Sequence, residues 1–260
     1  MGLPVSVLLR GPSARGLEAA SAVQAVYEEL RNVDAVFSTW RHDSEVSRLS
    51  RGEVAVGDCS DDVRLVAARC EQARTDTAGL FDAARPEGGW DPSGLVKGWA
   101  VERASRHLAG LPLDWCLNAG GDVLVQAPSG EAFGIGIADP RDPTGVLALL
   151  HLTSGAVATS GTAARGAHLW DPRTGKPALS VSSVTVSGPT LLEADVLATS
   201  AFVAGDLALL ADRPLLSGLL VHPDGRTEAT SSWSGQPLKV PAVSAEAQAW
   251  PRPRPYPPAS

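Results

Sequence analysis

Asp91 and Lys97 bracket a tight turn in the segment Asp91-Pro92-Ser93-Gly94-Leu95-Val96-Lys97-Gly98-Trp99. Pro92 cannot donate to a strand ladder, so a strand stops there, and Gly94 frees the backbone to turn and to approach a ligand closely. Lys97 falls in the first turn of a helix over 98–108, where the positive end of the helix dipole disfavours a cation. An ammonium fits there when it faces an anion that also accepts the helix amides, such as a phosphate. The plainer alternative is a solvated lysine after a turn. Asp195 and Thr199 form a second pair, four residues apart on one face of a helix over 190–204. They lie beside an apolar stripe of Ala194, Leu197, Ala198, Ala201 and Phe202. A half-buried carboxylate needs a partner. Two oxygen donors suit a hard cation such as Mg²⁺, which leaves most of its shell to phosphate and water. An arginine partner for Asp195, with Thr199 bonding back to its helix, is the alternative.

Other residues carry weaker signals. His168 stands at the end of a strand that enters the turn Asp171-Pro172-Arg173-Thr174-Gly175. Its near-neutral titration would suit a general base, though a lone histidine is more often a surface or satisfied core group. The turns Asn118-Ala119-Gly120-Gly121-Asp122 and Ala158-Thr159-Ser160-Gly161 could bring backbone amides to a ligand or simply reverse the chain. Asp82, after Leu80 and Phe81, could accept from a ring nitrogen or cap its own loop.

The elements that must position these residues follow from periodicity. A strand over 5–9 precedes a helix over 16–37, whose Val23, Val26, Leu30 and Val33 keep helical spacing. A polar turn over 37–45 leads to a second helix that starts at a Ser60/Asp61 cap, and 80–94 reads as loop. The helix from Lys97 stops at Gly110. Strands follow over 115–118, 123–126, 133–137, 146–152, 157–159 and 182–186, then the helix that stops at Gly205. A hairpin over 216–221 and 227–229 turns at Pro223-Asp224-Gly225. Runs of helix, then strands, then helix without strict alternation indicate an α+β fold with mixed or antiparallel sheets and packed helices. The domain is expected over 1–240, and the Pro-rich 241–260 as a disordered tail.

Composition excludes some roles. A net charge of -7 argues against a nucleic-acid partner. No apolar run reaches membrane-span length, and the N-terminal stretch lacks a basic n-region and cleavage site. Cys59, Cys70 and Cys116 show neither a disulfide pattern nor zinc spacing, so a cytoplasmic setting is expected.

Taken in order, the motifs resemble those of the FAD:protein FMN transferases, the ApbE-like flavin transferases. The resemblance runs over about residues 1–222. It rests on Phe37-Ser38-Thr39 with Ser44 to Leu49, Gly79-Leu80-Phe81-Asp82, Asp91 to Trp99 and Asn118 to Asp122. It continues with Gly136-Ile137 before Asp139-Pro140, Ala158 to Gly161, His168 with Asp171 to Gly175, and Ala194 to Thr199. The resemblance implies an ApbE-like fold and Mg²⁺-dependent transfer of FMN from FAD to a threonine hydroxyl of an acceptor protein, with release of AMP. Its implied metal ligands are Asp195, Thr199 and the carbonyls of Gly94 and Ala198. Lys97, Asp91, Leu80, Phe81, Asp82 and Leu169 would border FAD, with Gly120, Gly121, Thr159 and Ser160 on the same site. Catalysis would fall to His168 as base, with Lys97 and Asp195. The chain departs from the family pattern in a short 83–90 segment, a trimmed hairpin between Gly161 and His168, Ser50 in place of Asn and Leu3 in place of Thr. Two rival readings are an FAD pyrophosphatase giving FMN and AMP, and a non-catalytic FAD-binding protein.

Overall fold

A computed structural model describes residues 3–85, 88–162 and 169–238. His168 and the tail over 241–260 lie outside the described residues.

The first strand, β1 (Val5–Arg10), is followed by helix α1 (Leu17–Phe37), a short helix α2 (Glu45–Ser50) and helix α3 (Asp61–Asp76). After a loop comes α4 (Ser93–Ser105), then the strands β2 (Asp114–Ala119), β3 (Asp122–Gln126), β4 (Phe133–Ala138), β5 (Val146–Leu152) and β6 (Ser154–Gly161). A small hairpin, β7 (Trp170–Asp171) and β8 (Lys176–Pro177), precedes β9 (Ser183–Gly188), α5 (Leu191–Ala204), β10 (Ser217–Val221), β11 (Thr227–Ala229) and β12 (Gln236–Pro237).

Seven strands form one antiparallel sheet in the order β1-β2-β3-β6-β9-β10-β11, and a smaller sheet runs β12-β5-β4. The large sheet is covered on both faces, and its side chains sort by the two-residue strand period. Leu124, Ala156, Ala158, Val184, Val186 and Leu220 join the core beneath the helices. Val123 and Val125 instead meet Phe133 of the small sheet, and Val157 and Leu219 meet Ile137, Ala148 and Leu150. The α+β architecture with antiparallel sheets agrees with the sequence reading.

Three local differences have physical causes. α4 starts at Ser93, because Asp91 Oδ1 accepts from Ser93 N at 3.0 Å and Pro92 O accepts from Val96 N at 2.9 Å. Lys97 therefore sits in the second turn. Beyond Ser105 the chain continues in turns, with Leu108 N bonded to Ser105 O and Leu111 N to Leu108 O. That continuation mimics a longer helix in the apolar pattern. Within the polar stretch after Phe37, Ser44 Oγ accepts from Ser47 N and nucleates α2, too short to show a period.

α5 is buried on nearly every side rather than along a stripe, since it lies between α4 and the sheet. Its ends are well defined: Thr190 caps the start, and Gly205 closes the other end at φ +78°. α4 crosses α5 at Gly98, where a Cβ would come within 2.7 Å of the Leu192 backbone. That close approach puts Lys97 of α4 beside Asp195 of α5. Among the described residues, no helix is long and apolar enough to cross a membrane.

Candidate active site

The strand and helix ends converge on a cleft of about 1530 Å³, larger than most small-molecule pockets and roomy enough for a dinucleotide. The Gly120-Gly121 turn between β2 and β3 forms part of its wall, with φ of +65° and +102° that only glycine adopts without strain. Asn118 Oδ1 fixes this turn by accepting from Gly121 N at 3.0 Å. From the other side come Gly94 and Lys97 of α4, and Asp195 and Thr199 of α5.

Lys97 is the centre of the charge balance. Its ammonium contacts Asp122 Oδ2 and lies 3.2 Å from Asp195 Oδ1. Both carboxylates are buried, and the Lys97 side chain is 21% exposed. Burial opposes the lysine's charge, but Asp195 and Asp122 together hold its pKa above the ordinary value. Burial pushes the Asp195 carboxyl up to about 7, against the pull of Lys97 and with help from the Asp122 charge. Asp195 Oδ2 is buried without a hydrogen-bond partner among the described residues. An orphaned carboxylate oxygen at the edge of a cleft is a place for a cation.

Thr199 Oγ1 shares a hydrogen bond of 3.0 Å with Ser160 Oγ, so the hydroxyls of α5 and β6 meet next to Asp195. Gly94 is packed against Phe81, whose ring atom Cε2 would lie 3.2 Å from an added Cβ. Asp195, Thr199 and the backbone at Gly94 are oxygen donors on one cleft and fit a hard divalent cation. Among the described residues no group of three His, Cys, Asp or Glu side chains could hold a metal. A cation here would draw much of its shell from a ligand and water, as Mg²⁺ does. Ala198, the fourth expected ligand, is buried in α5 and is not part of the cleft lining.

The expected ring-side residues are also brought together. Leu80, Phe81, Asp82, Asp91 and Leu169 all border the cleft. A left-handed pair, Ala78 at φ +50° and Gly79 at φ +79°, ends α3, and Thr77 Oγ1 accepts from Phe81 N at 3.0 Å. Asp82 Oδ1 accepts from Ala84 N at 2.8 Å, so this carboxylate caps its own turn while facing the cleft. Asp91 pairs with Arg85; burial would raise its pKa, but Arg85 and Ser93 hold it below the usual range. Thr159 N donates to Asp122 Oδ1 at 3.1 Å, and its hydroxyl shares a bond with Thr185.

A family model described as the ApbE family matches residues 1–85 and 83–215. The chain belongs to the ApbE family. The FAD:protein FMN transferase of Treponema pallidum (strain Nichols) is 35% identical over an aligned length of 165, covering 54% of this chain and 46% of that protein. The chain thus aligns with about half the length of this curated relative. Among solved structures, the ApbE protein of Thermotoga maritima matches at TM-score 0.76 and 23% identity, covering 89% of this chain and 94% of its own. The flavin transferase ApbE of Vibrio cholerae gives 0.71 and 21%, with 88% and 98% covered. Flavinyl transferase ApbE of Pseudomonas stutzeri, in its apo form, gives 0.70 and 22%, with 88% and 96% covered. At these identities the structural likeness carries the fold.

In this ApbE chain two departures acquire places. Ser50 Oγ accepts from Trp90 N at 3.0 Å, so it ties down the short loop after Phe81. Leu3 borders the cleft and packs near Gly120. Trp40 and Trp170, the former 92% exposed, stand on the cleft as well, and no periodicity pointed to them. Asp122 was visible in its motif without a role. The missing signal is its partner, since Lys97 is remote in sequence.

Proposed function

We propose that this protein transfers FMN from FAD to a threonine hydroxyl of an acceptor protein, with Mg²⁺ at Asp195 and Thr199, releasing AMP. The observation that carries the reading is the Lys97–Asp122–Asp195 cluster, with one carboxylate oxygen open, on a cleft of dinucleotide size. FAD carries a pyrophosphate whose charge must be neutralised before a hydroxyl can attack. Mg²⁺, when bound, supplies that neutralisation together with Lys97. Asp195, Thr199 and the Gly94 carbonyl would hold it. Leu80, Phe81, Asp82, Asp91 and Leu169 would seat the flavin nucleotide, with Gly120, Gly121, Thr159 and Ser160 along the opposite wall. In the transfer, the threonine oxygen forms a bond to the FMN phosphorus as the bond to AMP breaks. The hydroxyl proton goes to a base, which we assign to His168, the sequence neighbour of Leu169; such a base contributes typically about 10²–10⁴-fold. The free cysteines Cys59, Cys70 and Cys116 support a cytoplasmic setting.

Mass spectrometry after incubation with FAD, Mg²⁺ and a threonine-bearing acceptor domain tests the reading. The expected result is an FMN adduct on the acceptor threonine with AMP released. Free FMN and AMP with an unmodified acceptor would replace transfer by hydrolysis. Intact FAD would leave a binding protein.

A further inference from the structure

Asp122 is not among the residues that would touch FAD or the cation, yet it is among the most tightly held carboxylates of the cleft. It is 1% exposed and opens β3 directly after the Gly120-Gly121 turn. Its Oδ1 accepts from Thr159 N at 3.1 Å, which leaves Oδ2 for the Lys97 ammonium. Asp195 holds the same ammonium from α5 at 3.2 Å through Oδ1. One cation therefore answers two buried carboxylates, and a divalent ion at Asp195 would compete with Lys97 for that residue.

We propose that Asp122 is a positioning residue that takes the closer share of the Lys97 ammonium, so that Asp195, paired with it through Oδ1 only, keeps Oδ2 for the divalent cation while the ammonium stays fixed in the cleft. The inference rests on the functional reading above. Without the Asp122 charge, Asp195 is the anion left beside Lys97 among the described residues, and the ammonium pairs with it alone. Cation binding must then displace a buried ammonium, at the cost of separating two close opposite charges in a poorly solvated place. Asp122 thus acts on the cation site through Lys97, with no contact to the ion itself.

The test is titration of Mg²⁺ into the full chain with FAD, followed calorimetrically, for wild type, Asp122→Asn, Lys97→Gln and the double variant. Asn keeps an oxygen for Thr159 N and removes the charge. Asp122→Asn should weaken Mg²⁺ binding by about tenfold or more, a difference that corresponds to about 1.4 kcal/mol. In the Lys97→Gln background the same change should shift it less than about twofold, because the two effects are not additive when one residue acts through the other. An equal loss with and without Lys97 would show that Asp122 acts on the cation directly and would overturn the proposal. So would unchanged Mg²⁺ affinity in Asp122→Asn. Should Lys97→Gln not fold, Asp122→Glu takes its place, and failure of a restored carboxylate to recover Mg²⁺ binding counts against the proposal. If wild type transfers FMN and binds Mg²⁺ while Asp122→Asn matches it, this inference alone falls. If wild type binds no Mg²⁺, the functional reading falls and takes the inference with it.

Discussion

Replacing Lys97 by alanine would strand two carboxylates, because its ammonium contacts both Asp122 and Asp195. Breaking a buried pair from one side costs about 3–5 kcal/mol, or a fall in Tm of about 10 °C for a chain of this size. Thermal melts of the ligand-free Lys97→Ala chain should show that drop, and Mg²⁺ should recover part of it by supplying the lost positive charge at Asp195. Melting at the wild-type temperature would mean that the lysine is a solvated side chain. Asp195→Ala acts differently: it removes the open oxygen and should lower Mg²⁺-dependent turnover by at least about 10²-fold, as loss of several kcal/mol of charge stabilisation requires. A rate unchanged at saturating FAD would reduce Asp195 to a structural partner of Lys97. At this scale the sequence put Asp195 and Thr199 on one helix face, since a spacing of four is a local property of a helix, and left the partner of Asp195 open. It was mute on the Lys97–Asp122 contact, which joins a helix to a hairpin 25 residues away through the tertiary fold.

Among the elements, the crossing of α4 and α5 decides whether the site exists. Gly98 has no room for a side chain against Leu192 Cα at 2.7 Å and Leu191 O at 2.9 Å, both backbone atoms that cannot rotate away. Gly98→Ala should therefore push the helices apart and destabilise the chain by about 1–3 kcal/mol, despite alanine's better helix propensity. The same shift moves Lys97 relative to Asp195, so Mg²⁺ affinity should fall with Tm; wild-type values for both would show that the crossing has slack. The longer strands and helices were legible because their apolar periods run for several residues, as in Val146–Leu152 and Leu17–Phe37, whereas the two-residue strands Lys176–Pro177 and Gln236–Pro237 carry no period. α2 was not, since six residues capped by Ser44 carry no full period. The start of α4 was misplaced because Asp91 and Pro92, which stop a strand, also begin this helix.

For the molecule as a whole, the small sheet must stay pinned to the large one, since β4 residues from Gly134 to Ala138 border the cleft. Arg10 at the end of β1 adds a polar connection to the apolar contacts of Val123, Val125, Val157 and Leu219 with the small sheet. Its guanidinium lies 4.2 Å from the centre of the Phe133 ring and bonds Asp114 Oδ2 through Nε at 3.1 Å and Nη2 at 2.9 Å. Asp114 is further held by Ser129, whose hydroxyl and amide donate at 2.6 and 3.0 Å. The Ser129 hydrogen bonds, followed by Arg10, hold the Asp114 carboxyl below its ordinary pKa. A carboxyl depressed in the folded state binds a proton more readily when unfolded. Its contribution to stability is therefore complete above its unfolded pKa, about 3.9, and is lost as pH falls through the lower folded value. Asp114→Asn should melt below wild type at neutral pH, and the gap should begin to narrow at about pH 4, where the unfolded carboxyl takes up its proton, and close as the pH falls through the lower folded value. A gap that stays constant over that range would show that Asp114 contributes through packing, and that the charge of the Arg10 connection has no part in joining the sheets.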